Sequence, residues 1–154
     1  MVAVPLPHSD RGLFMSVQLT PNFTVKELTV TNVAAANIPT SAEVEQLRQL
    51  ATHILQPLRD ALGKPVIVNS AFRSEAVNKA VGGTKTSQHR LGQAADIRVK
   101  GMTPLELCKF IIKLGLPFDQ LIEEGTWTHV SFGPRNRRQV LTMRGGKYTP
   151  GLKA

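Results

Sequence analysis

The sequence holds a single cysteine, Cys108, in 154 residues. An intrachain disulfide is therefore excluded, and so is a zinc cluster built on thiolates, which needs several cysteines. Any metal must be held by histidine and carboxylate. Aromatic residues make up only 5%, and neither a stacking motif nor a recognition helix is visible, so no nucleic-acid partner is expected. No apolar run approaches the ~18 residues of a membrane span. The opening residues, Met1-Val2-Ala3-Val4-Pro5-Leu6-Pro7-His8, lack the basic start and unbroken apolar stretch of a secretory leader, which predicts synthesis in the cytoplasm.

What is present is enough for one packed core, with 42% hydrophobic and 19% charged residues. Residues 1–15 read as a mobile N-terminal extension and residues 16–154 as one domain, expected to be a monomer. The formal net charge is +8, with an isoelectric point near 10.2, which asks for an anionic partner. Nucleic acid, acidic lipid and the bacterial envelope all carry the right sign, and charge alone does not choose among them. Part of the charge is concentrated in Arg135-Asn136-Arg137-Arg138, whose plain reading is a solvated loop.

Thr24 and Glu27 stand at capping-box spacing and predict a short helix over 22–28. Thr40-Ser41-Ala42-Glu43 opens the strongest helix, with Val44, Leu47, Ala51, Ile54, Leu58 and Leu62 forming one apolar stripe. Pro57 lies inside that stripe and predicts a kink, because its ring removes a backbone bond. Short strands are predicted over 66–70 and 94–99, a brief helix over 74–81, and a helix opened by Thr103-Pro104 that buries Cys108. Three further strands, over 118–123, 127–132 and 139–143, read as a meander with glycine turns. Helices first and strands last predict an α+β fold, its small antiparallel sheet carrying the candidate site and packing against the N-terminal helices.

The chemistry is concentrated in two stretches. In Ser87-Gln88-His89-Arg90-Leu91-Gly92-Gln93-Ala94-Ala95-Asp96 a histidine enters a strand through a glycine turn and an aspartate follows on the strand. In Trp127-Thr128-His129-Val130-Ser131 a second histidine lies on an alternating strand. Asp96 and His129 meet if these strands pair with both side chains on one face, and His89 at the loop edge completes a triangle. Two imidazoles and one carboxylate suit zinc, and three protein ligands leave a fourth position for water. Spacing alone leaves open the plainer reading, in which each histidine is a satisfied core or surface residue, as expected of His8 and His53.

These motifs, Ser87-x-His89-x-x-Gly92-x-Ala94-x-Asp96 and Trp127-x-His129-x-Ser131, resemble those of the zinc D-Ala-D-Ala carboxypeptidases and phage endolysins of the M15 peptidase family. The likeness runs from about Leu19 to the C-terminus and includes Ser70-Ala71-Phe72-Arg73-Ser74, Asn78-Lys79-Ala80-Val81-Gly82-Gly83 and Phe118-Asp119-Gln120-Leu121-Ile122. It implies one zinc ion on His89, Asp96 and His129, and hydrolysis of a peptide bond in bacterial peptidoglycan, by an endolysin released through a membrane lesion or by a carboxypeptidase. The basic surface would then help hold the anionic envelope. A different class of reading is a catalytically silent zinc protein serving virion assembly or envelope binding.

The resemblance also implies a general base shortly before the last histidine, where Glu123 and Glu124 are adjacent. Many relatives place the acid three residues before that histidine, but Thr126 stands there in this chain. The subgroup reading Asp-Gln-Leu-Ile-x-Glu maps the base onto Glu124. Counting along an unbroken strand instead gives Glu123 the parity of His129. Arg73 corresponds to the family residue that holds substrate and steadies charge at the scissile carbonyl. Ser87 is expected to bond substrate or to orient its loop, Trp127 to wall the cleft, and Gly92 to let the chain turn.

Overall fold

The computed structural model describes residues 17–153; the extension expected at 1–15, with His8, lies outside the described residues. The chain opens with a two-stranded hairpin, β1 (Gln18–Thr20) and β2 (Phe23–Thr24). The helix expected over 22–28 is reduced to a 3-10 turn, Glu27–Thr29. Its capping bond is made, Glu27 N–H donating to the Thr24 hydroxyl. Phe23, however, is drawn into the strand pair and is buried, so the helix has no room to begin earlier.

Helix α1 (Ser41–Leu50) starts at Thr40 with both reciprocal bonds of the capping box. It continues through a π-helical turn, Ala51–Leu55, into α2 (Gln56–Leu62). Pro57 is therefore accommodated by widening the helix just before it. The Gln56 N–H reaches back five residues to the Ala51 carbonyl, which places the looser turn where the proline ring would otherwise crowd the ladder. Val44, Leu47, Ala51, Ile54 and Leu58 are buried along one stripe, while His53 lies off it, stacked on Phe132 with ring centroids 4.6 Å apart. Gly63, at φ +68°, ends the run.

The remaining elements are β3 (Ile67–Ser70), α3 (Glu75–Ala80), a 3-10 turn Gln88–Leu91, β4 (Ala94–Arg98), α4 (Pro104–Lys113), β5 (Gln120–Glu123), β6 (Thr128–Ser131), β7 (Gln139–Arg144) and β8 (Lys147–Pro150). The class is α+β as expected, but the sheet is neither small nor purely antiparallel. It has six strands in the order β3-β4-β6-β5-β7-β8, and β5 pairs with β7 in parallel. The reason is occupancy: β4 already covers the free edge of β6, so β7 cannot fold back onto β6 and pairs with β5 instead. Among the described residues no helix is long and apolar enough to cross a membrane.

The pairing registers sort the side chains into rows. Ala95, Val130, Leu121 and Val140 lie opposite one another across four strands and belong to the core under the helices. The adjacent row, Asp96, His129, Ile122 and Leu141, points to the other face. One face of the sheet thus carries the core and the other carries the candidate site residues Asp96 and His129. Cys108 is fully buried in the core, where burial pushes its thiol up to about 12, so it is inert.

Two residues lock the loops onto this frame. Gly92 closes the turn after His89 at φ +78°, and a Cβ there would meet the Glu43 carbonyl of α1 at 2.8 Å. Asp119, fully buried just before β5, accepts hydrogen bonds from Gln88 Nε2 (2.9 Å) and from the backbone N–H, Nε and Nη2 of Arg137 (2.8, 3.0 and 3.0 Å). The arginine run is therefore not simply a solvated loop. Arg137 is bound to Asp119, and Arg138 bonds the Leu116 carbonyl and covers the Phe118 ring. Burial alone would raise the Asp119 carboxyl; the bonds from Arg137 and Gln88 outweigh it and hold it at about 2.

Replacing Gly92 with alanine is expected to cost about 2 kcal/mol in urea denaturation, from the left-handed backbone and the approach to Glu43 together. Asp119 has a folded value below the ordinary ~3.9, so it adds stability above pH ~4 that is lost as the pH falls toward ~2. The stability gap between wild type and Asp119→Asn should be constant near neutrality and close across that acid window.

Candidate metal centre and cleft

Asp96 and His129 are direct cross-strand partners on β4 and β6, the pairing expected from the sequence. His89 arrives from the 3-10 turn before β4. Ser87 caps that turn, its hydroxyl accepting from the His89 N–H at 3.2 Å. Arg90 and Gln93 tie the turn to α1 through Glu43 and Gln46, both at 3.0 Å. Both imidazoles then face one carboxylate oxygen: His89 Nε2 lies 3.2 Å and His129 Nδ1 3.1 Å from Asp96 Oδ1. The three ligand atoms fall within 4.8 Å of one another.

The donor set can be tested for a cation. His89 Nδ1 is 2.7 Å from the Ala71 carbonyl, which can only accept, so Nδ1 carries the proton. With Nδ1 so engaged, His89 Nε2 faces Asp96 Oδ1 directly, and either a proton or a cation shared between them makes that contact attractive. Asp96 is ionised for the task. Burial would raise it, but the two imidazoles outweigh burial and hold it well below the usual carboxylate range. Two nitrogens and one oxygen, with a fourth side open to a cavity, fit a catalytic zinc better than a closed structural one.

That cavity measures about 530 Å³ and is lined by His89, Asp96 and His129 together with Arg73, Glu124, Trp127 and Ser87. Every candidate side chain of the sequence reading thus meets at one cleft, with one exception. Glu123 pairs with Thr128 across β5 and β6 and with Thr142 across β5 and β7, which places it on the helix-facing side. There it is buried, paired with Arg144 and accepting from the Gly125 N–H at 2.6 Å. Sequence parity with His129 fails because the chain reverses between the strands. Ile122, not Glu123, lies opposite His129, and Glu124, one residue past Glu123, turns to the cleft. Burial pushes the Glu124 carboxyl up and Asp96 adds to the rise, against the opposing pull of His129, Trp127 and Arg73.

Arg73 lies in the turn after β3, its Nη2 3.1 Å from Asp96 Oδ2 and its Nε 3.0 Å from the Ser70 hydroxyl. Several residues of the site carried no signal in the sequence. Asn37 is buried in a stretch read as plain loop, yet it binds the Thr29 and Phe72 carbonyls (each 2.9 Å) and the Ser74 N–H (2.7 Å), which holds the turn bearing Arg73. That turn is joined to the next, Arg73 N–H donating to the His89 carbonyl at 2.9 Å. Gln120, Arg135, Arg137, Leu141 and Tyr148 also line the cleft. Tyr148 comes from β8, a strand the sequence reading did not include, and burial with the nearby Glu124 and Asp96 charges raises its hydroxyl.

Over 78 residues, 49% of this chain, the sequence is 41% identical to the zinc D-Ala-D-Ala carboxypeptidase of Streptomyces albus G, and the match spans 31% of that relative's length. The family model described as Peptidase M15 matches residues 21–131, a span that holds the whole His89, Asp96 and His129 triangle, and the chain belongs to that family.

Proposed function

We propose that the chain is a zinc peptidase that hydrolyses a peptide bond in the stem peptides of bacterial peptidoglycan. His89, Asp96 and His129 hold the ion, Glu124 is the general base and Arg73 attends the scissile carbonyl. The observation that supports this most directly is the gathering of three metal-ligand atoms, a half-buried carboxyl and a guanidinium around one open cleft. The substrate class follows from the similarity to the Streptomyces carboxypeptidase and accords with the net positive charge.

A zinc ion held by His89, Asp96 and His129 would supply a Lewis acid for the scissile carbonyl and make a nearby water easier to deprotonate at neutral pH. Glu124 takes a proton from the attacking water as its oxygen bonds to the carbonyl carbon. It then passes that proton to the amine nitrogen as the C–N bond breaks. A carboxyl raised by burial suits both halves of that task, since it accepts and gives up the proton more evenly than an exposed one. Arg73 is held by Nη2 on Asp96 and Nε on Ser70 and lines the cleft, so its remaining donors are available to the oxygen on which charge develops. Ser87 holds the His89 turn and Trp127 forms the wall beside the base.

Glu124→Gln is expected to retain metal and to lose about 10²- to 10⁴-fold in peptidoglycan cleavage. Full activity in that variant would remove Glu124 from the mechanism. Digestion of purified peptidoglycan should release new amino termini, identified by mass spectrometry, and a chelator should stop the release until zinc is restored. Bound zinc without turnover is the behaviour of a silent binding protein and would refute the peptidase reading. The same digest identifies the bond cut, and so separates removal of a terminal residue from an internal cleavage.

A further inference from the structure

The cleft has a second charged wall that the mechanism above leaves unused. Its base is Asp119, at the start of β5, while Glu124 follows the end of the same strand. The metal-ligand row crosses β5 at Ile122, three residues from Asp119, or about 10 Å along a strand. Arg137 fills the Asp119 carboxylate with bonds from Nε, Nη2 and its backbone N–H, and Gln88 adds another.

Arg135 is left over. Its Nη2 is 3.9 Å from Asp119 Oδ2, beyond hydrogen-bond reach, and its side chain is 60% exposed. Among the described residues no hydrogen bond holds its guanidinium, although it lines the same cavity as the metal ligands. Asp119 is hydrogen-bonded by Arg137 and only at ion-pair distance from Arg135, so two arginines share one carboxylate, and this wall keeps a net positive charge with the Arg135 donors not engaged in hydrogen bonds. That is the equipment for gripping a carboxylate. The loop carrying it is held in place by Arg137 and Arg138, so the guanidinium projects from a braced base.

We propose that Arg135 is a specificity residue that binds a free carboxylate of the substrate, about two or three residue lengths from the scissile bond in an extended peptide. The protein then prefers a stem peptide whose acidic residue is a carboxylate over the same peptide with a carboxamide there. This rests on the peptidase reading above and adds to it the identity of a remote contact.

The test is a pair of synthetic stem peptides that share the scissile bond and differ only in carboxylate against carboxamide at that distance. Wild type should favour the carboxylate by about tenfold in kcat/KM, the discount for partial exposure included. In Arg135→Gln the ratio should fall close to one, and Arg135→Lys should keep part of it. The side chain is mostly exposed, and equal melting temperatures separate a specific effect from loss of folding. Equal cleavage of both peptides by wild type, or an undiminished ratio in Arg135→Gln, would overturn the assignment and leave the peptidase intact. Failure of wild type to cleave either peptide or purified peptidoglycan would overturn the peptidase reading, and the Arg135 assignment with it.

Discussion

Asp96 sits where the demands of the fold and of the site meet. Its strand is buried on both faces, and its direct opposition to His129 depends on the β4–β6 register. A slip of one residue would turn Asp96 toward the helices and bring Ala95 or Ile97 to the cleft. A buried carboxylate without partners would cost several kcal/mol, so the neighbours that make it tolerable, His89, His129 and Arg73, are the same groups that give it a chemical use. Removing any one of them leaves the charge less compensated and also opens the cleft.

The same logic operates at the start of β5, with a different outcome. Asp119 is as buried as any residue in the chain, yet its partners are an arginine and an amide. Their donors occupy its oxygens, and it ties two loops together. Gln88, next to a candidate metal ligand, and Arg137, from the loop beyond β6, are drawn to one carboxylate. The position of the His89 turn is thus coupled to the arginine loop, and a charge that looked like surface decoration becomes part of the cleft's architecture.

Much of this was legible in the residues. The two capping boxes of α1 and α4, the apolar stripe through Leu58 and the αL glycine after α2 each rest on contacts within a few residues, and each is found where local chemistry predicts it. The face shared by Asp96 and His129 was readable because both were placed on neighbouring strands, where pairing in register brings opposed side chains to one face. The parallel β5–β7 pair and strand β8 were not readable, since strand order is decided by which edges are already occupied. Tyr148 and Asn37 enter the site only through such long-range packing. The helix expected at 22–28 failed for a related reason: a correct cap does not create a helix when the next apolar side chain is claimed by a strand.

Glu123 and Glu124 show how far apart two identical neighbours can be placed. Along a single strand, adjacent residues differ only in face. Here one face is a packed interior in which Glu123 meets Arg144 and a backbone N–H, so its carboxylate is satisfied and has no free position for a proton-transfer partner. The other face is a cleft in which Glu124 stands half-buried, with a raised carboxyl and His129 and Arg73 close enough to act on it. The Glu123–Arg144 pair also braces the base of the β5–β6 turn, with buried Glu123 gripping both the turn's Gly125 N–H and the exposed β7 arginine, so the residue excluded from the cleft helps to aim the one that enters it. Side-chain chemistry is identical in the two; alternation along the strand assigns one to structure and makes the other available for catalysis.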